Sequence, residues 1–122
     1  MGDKWPLVPL SDLADLSGGF AFKSADYSDS GRFIVRSLNI RRDGALDRSS
    51  PVYLPFELCG RYSNFELQQH DTLFVMVGAN LGKIGYVNQR DLPALLNQNM
   101  WRVRAKDGRD AASYTTRFDR QY

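Results

Sequence analysis

The chain has 122 residues, of which 43% are hydrophobic and 25% charged, enough for one domain with a modest core and too few for a second. Sixteen Lys and Arg against fourteen Asp and Glu leave a net charge of +2, too even a balance to mark a nucleic-acid binder by its sum. Cys59 is the only cysteine, which excludes an intrachain disulfide and a cysteine-cluster metal site and fits a reducing, cytoplasmic setting.

The start, Met1 to Pro6, has no apolar stretch to act as a signal peptide, and Pro6 stands where a myristoylation motif requires Ser or Thr. Leu10 to Gly19 then reads as a short helix: Ser11 is placed to cap it, Leu10, Leu13 and Leu16 share a face, and Gly18-Gly19 end it. From Phe20 to Gly31 the composition turns to Ser, Asp, Tyr and Gly, which predicts a long irregular segment pinned to the core by Phe20, Phe22 and Tyr27. Five strand-sized stretches rich in β-branched and aromatic residues follow: Arg32 to Arg36, Pro51 to Leu54, Thr72 to Val77, Lys83 to Val87 and Met100 to Arg104. The apolar run Leu73 to Ala79 is far shorter than the ~20 residues of a membrane-spanning helix, and it marks the Thr72 strand as central. Along the last strand Met100, Arg102 and Arg104 alternate with Trp101 and Val103, as in a half-buried strand. Pro55 to Gly60 predicts one helical turn begun by Pro55, and Asp110 to Arg120 a second short helix. The resulting class is α+β, a curved, mostly antiparallel sheet with short peripheral helices, whose core is expected to hold Trp5, Leu73, Phe74, Val75, Ile84, Trp101 and Val103.

Charge is distributed less evenly than its sum suggests. Residues 32–48 carry Arg32, Arg36, Arg41, Arg42 and Arg48 against Asp43 and Asp47, for +3, and residues 101–122 carry another +3, so the remainder sums to −4. Between the strands, Gly78-Ala-Asn-Leu-Gly-Lys83 has three residues between its glycines and Ile84 after the lysine. A phosphate-binding Walker loop needs four, and then Ser or Thr. The segment therefore predicts a tight turn that can bring Asn80 and Lys83 to a phosphate or a base edge. His70, the only histidine, stands beside Asp71 without further ligands at metal-binding spacing, and is read as exposed at the end of a loop. Asn88-Gln-Arg90 and Asn97-Gln-Asn99 carry the amides and the guanidinium that match adenine and guanine edges, although amides also serve simply to make turns. No cofactor loop and no methyltransferase tetrad is present, so no catalysis, metal or cofactor is expected of the chain by itself.

Five segments in order carry a family resemblance: Trp5-Pro-Leu-Val-Pro-Leu-Ser-Asp-Leu13, Ser17-Gly-Gly-Phe-Ala-Phe-Lys-Ser-Ala-Asp-Tyr27, Gly31-Arg-Phe-Ile-Val-Arg-Ser-Leu-Asn-Ile40, Asp71-Thr-Leu-Phe-Val-Met-Val-Gly-Ala-Asn-Leu-Gly-Lys83 and Leu96-Asn-Gln-Asn-Met100. The chain resembles one target-recognition domain of a type I restriction-modification specificity subunit. The resemblance covers residues 1–104 of a single domain spanning 1–122, with 105–122 falling where a first spacer helix would begin, although Asp110 to Tyr122 has little leucine periodicity. It implies an α+β module that reads one half of a split site in double-stranded DNA. It also implies assembly with a methyltransferase (modification) subunit and a restriction subunit, no membrane, and a homodimer as one option. Joined to the +3 segment, it puts Arg36, Asn39, Arg41, Arg42, Arg48, Asn80 and Lys83 on the DNA-facing side. The alternative is a truncated or stand-alone relative that binds modification subunits as a protein-interaction module without touching DNA.

Overall fold

Arg32-Phe-Ile-Val35 is a run that a helix disfavours and a pleated sheet accepts, and it forms the middle strand of a small sheet. The computed structural model describes residues 14–105. In chain order they give β1 (Ala14–Gly18), β2 (Arg32–Val35), β3 (Tyr53–Leu54), a one-turn helix α1 (Phe56–Cys59), β4 (Thr72–Val75), β5 (Ile84–Tyr86), β6 (Ala94–Leu96) and β7 (Met100–Ala105), with short 3-10 turns between them. The α+β class is as expected, with α1 following Pro55. The sheet, however, is divided in two. A four-stranded antiparallel sheet runs β1-β7-β4-β5, and a three-stranded one runs β3-β2-β6, with β2 and β6 parallel.

The two sheets share one core. Leu73 and Val75 of β4 and Met100 of β7 meet Phe33 and Val35 of β2 and Ala94 and Leu96 of β6, with Ile40, Leu46 and Val87 closing the ends. The residues that alternate with these in the small sheet, Ile34 and Leu95, face the other way and join Leu54, Phe22 and Cys59 in a second cluster. Against it pack Phe20, Tyr27 and Tyr62, the rings of Phe20 and Phe22 meeting edge to face at 5.0 Å. The irregular segment is thus pinned by the three aromatic residues expected to pin it.

Four expectations are corrected. Residues 14–18 of the predicted Leu10–Gly19 helix form strand β1, paired residue for residue from Ala14↔Ala105 to Gly18↔Trp101. Those backbone bonds, with Asp15 accepting from Arg102 at 3.0 Å, outweigh a weak leucine period; Leu10, Ser11 and Leu13 lie outside the described residues. Strand β7 keeps the expected burial of Val103, against Ala14, but not that of Trp101. Met100 and Arg102 are buried and Trp101 is 44% exposed, because Asp15 and Asp71 neutralise the two arginines on the inner face. Of the expected core, Leu73, Val75 and Val103 are buried, while Phe74 and Ile84 are only half-buried on the outer face. Strand β6, lastly, was not foreseen, since Ala-Leu-Leu carries neither β-branching nor aromaticity. Trp5 and the Asp110–Arg120 helix lie outside the described residues.

Candidate functional site

The loop from β2 to β3 begins at Arg36 and is organised by Asn39. Its Oδ1 accepts the Arg36 backbone N–H at 2.9 Å, and its Nδ2 donates to the carbonyls of Asp47 at 2.8 Å and Ser49 at 3.2 Å. The side chain is fully buried. Asn39 therefore holds the two ends of the loop together and has no surface to offer a partner. Between these ends, Ile40 and Leu46 are buried and bridge one another, which projects a tight turn: Arg41 N–H donates to Ala45 at 2.9 Å and Gly44 N–H to Arg41 at 3.0 Å. Gly44 has φ +89, and a Cβ there would stand 2.5 Å from the Tyr86 ring. Only glycine lets the turn lie this close to β5, where the Tyr86 N–H donates to the Gly44 carbonyl at 2.8 Å. Arg41 and Arg42 stand exposed at the tip, Arg41 loosely accompanied by Asp43 at 3.7 Å.

The segment from β4 to β5 is the tight turn its glycines predict, with Gly78 at φ +100 and Gly82 at φ +91, backbone angles costly for other residues. Its side chains reach back to the arginine loop across 43 positions of sequence. Asn80 Nδ2 donates to Ser37 Oγ at 3.2 Å, and Lys83 Nζ to the Ile40 carbonyl at 2.7 Å. An ammonium carries three donors, so Lys83 keeps two for other partners. Together the two segments bound a shallow concavity of about 490 Å³ whose rim includes Arg41, Arg42, Leu81, Lys83, Ile84 and Tyr86.

The other arginines singled out in the sequence are partly spent on the fold. A guanidinium N–H of Arg36 donates to the Ser50 carbonyl. The Arg48 guanidinium lies over the Phe33 ring at 4.6 Å and donates to the Asp91 carbonyl at 3.2 Å. Beside them Asp47 accepts from the Ser49 hydroxyl at 2.7 Å and the Ser49 N–H at 2.8 Å. These bonds, the hydroxyl first, hold its carboxyl below the usual aspartate value.

Of the amide-rich turns, Asn97-Gln-Asn99 meets the glycine turn directly, because the Met76 N–H donates to the Asn99 carbonyl at 2.9 Å. Gln98 and Asn99 are exposed there. Asn88, Gln89 and Arg90 are exposed as well, next to the buried Asp91 whose carbonyl holds Arg48. His70 is exposed at a turn with φ +74. Among the described residues there is no cluster of three potential metal ligands, and no helix is long and apolar enough to cross a membrane. Sequence reasoning missed Ser37, Gly44 and the exposed Leu38 and Leu81. A leucine between two turn glycines was the available signal for the last.

A family model described as the type I restriction modification DNA specificity domain matches residues 2–119. No curated protein matches the chain.

Proposed function

Because the chain belongs to the type I restriction modification DNA specificity domain family, we propose that it is a non-catalytic target-recognition module that reads duplex DNA with the arginine loop and the glycine turn. The observation that carries this reading is the pair of hydrogen bonds from Asn80 to Ser37 and from Lys83 to Ile40. They join two segments distant in the sequence whose Arg41, Arg42 and Lys83, with Asp43 among them, line one concavity. Arg41, Arg42 and Lys83 meet phosphates, while Asn80 and the exposed amides Gln98 and Asn99 approach base edges, the division of labour usual in such interfaces. Half-buried Arg36 and exposed Arg48 tie the loop down through Ser50, Phe33 and Asp91, and Asn39 acts as its buried brace. The module works with a methyltransferase subunit and a restriction subunit that supply the chemistry, in the cytoplasm where the target DNA is.

The test is a titration of duplex DNA at several salt concentrations. Each phosphate neutralised contributes roughly −0.9 to the log-log salt slope, so the Arg41→Ala/Arg42→Ala protein should bind more weakly, with a slope shallower by about 2. A control pair with the same charge change, Lys23→Ala/Arg61→Ala, lies beside the Phe22–Tyr62 ring contact and should leave both quantities unchanged. The reverse outcome would place the DNA on the other side of the domain.

A protein-interaction role is favoured by one observation, the exposed Leu16 and Trp101 on the outer face of the four-stranded sheet. Neither residue lines the concavity of the arginine loop, so binding of a modification subunit to them is compatible with DNA reading.

A further inference from the structure

Five of the eight large hydrophobic side chains that stand exposed among the described residues belong to the two joined segments or to the strand beneath them: Leu38, Met76, Val77, Leu81 and Tyr86. Scattered surface leucines need no explanation, but these are concentrated. Leu38 and Leu81 each follow in sequence one partner of the side-chain hydrogen bond between Asn80 and Ser37, so they stand on two segments tied together. They are 49% and 66% exposed, and Leu81 shares the rim of the concavity with Arg41, Arg42 and Lys83.

Positive charge around apolar side chains suits a polyanion that also presents something apolar. In the major groove the only apolar group on a base edge of unmodified DNA is the C5-methyl of thymine. The geometry points to Leu38 and Leu81 as thymine-methyl readers, so that the half-site recognised by this domain contains at least one A·T pair sensed through the methyl group. This rests on the DNA-reading proposal and deepens it. Arg41, Arg42 and Lys83 hold the duplex by its phosphates, and the leucines add discrimination that no charge can supply. Burying one methyl corresponds to about a fourfold change in binding constant.

The experiment selects duplexes from a randomised pool with this chain, then resynthesises the preferred duplex with deoxyuridine in place of thymidine, which removes the methyl group alone. The wild-type protein is expected to bind the uracil duplex about fourfold more weakly per contacted methyl. Leu38→Ala and Leu81→Ala proteins, which lose only exposed atoms and should keep their thermal midpoint, are expected to weaken on thymine DNA. At least one of them should no longer distinguish the two duplexes. An Arg41→Ala/Arg42→Ala protein should lose affinity for both equally. Equal wild-type affinity for the two duplexes overturns this inference and leaves DNA reading standing, as does a leucine variant that weakens both alike, which would mean contact with sugars. Failure of the pool to yield any preferred duplex overturns both readings.

Discussion

Arg104 grips Asp71 through two parallel hydrogen bonds, Nε to Oδ1 and Nη2 to Oδ2, each 2.8 Å long. Asp71 is fully buried, and its Oδ2 also accepts the Gln68 N–H at 2.7 Å. The pair joins the end of β7 to the turn that leads into β4, and its hydrogen bond raises the Arg104 guanidinium above its ordinary pKa. Removing the arginine leaves a buried carboxylate without its counter-charge. Arg104→Ala should therefore destabilise by about 3–5 kcal/mol. Asp71→Ala, which abandons a partly exposed cation, should cost less. Chemical denaturation of the two variants checks the order; equal small losses would show that the pair is not holding the turn.

Leu73 and Trp101 separate buried from merely strand-like. Leu73→Ala opens a cavity in the core shared by the two sheets and should cost about 2–5 kcal/mol. Trp101→Ala, at a position almost half exposed, should cost under ~1.5 kcal/mol. Thermal melts decide, and a larger loss at Trp101 would mean that the outer face is more deeply covered than the described residues show.

Gly44→Ala should act, through the seating of the arginine turn, on the concavity that Gly44 helps to line. Its positive φ costs a side chain about 1–2 kcal/mol, and the added Cβ would press on the Tyr86 ring, pushing the arginine turn off β5. The expected result is a modest fall in stability together with weaker DNA binding. Unchanged binding would show that the turn need not be seated on β5.

Ser49→Ala should return the Asp47 carboxyl toward its ordinary pKa, measured by carboxyl-carbon titration in NMR. The depressed value in the folded chain means that Asp47 favours folding at neutral pH. That contribution is complete above the unfolded value near ~4 and is lost as pH falls through the lower folded value. An unmoved titration curve in the variant would remove the Ser49 hydroxyl as the cause and leave the residue-49 N–H.

What the sequence made legible was local. The Gly78–Lys83 turn, the Thr72 strand, the Pro55 helical turn and the aromatic anchoring of residues 20–31 follow from spacing and backbone chemistry within a few positions. What stayed hidden depended on distant partners. Ala14 to Gly18 are a strand because β7 lies beside them, and Trp101 faces outward because Asp15 and Asp71 take up Arg102 and Arg104. Asn39 looks in the sequence like one more amide among arginines. Its burial is decided by carbonyls eight and ten positions further on, which no spacing rule announces. The arginine loop itself could be located, but which of its cations remain unspent required Phe33, Ser50 and Asp91 in place.

The pairing of Ala14 with Ala105 places the first and last described strand residues side by side, about 5 Å apart as paired Cα atoms are. The polypeptide arrives and departs through one doorway. A segment attached in this way can be lifted out, or another put in its place, while whatever flanks it keeps its geometry. Transplanting residues 14–105 into a surface turn of an unrelated host with similarly close ends should leave the host folded, and loss of the host fold would show that the doorway is not independent of what flanks it.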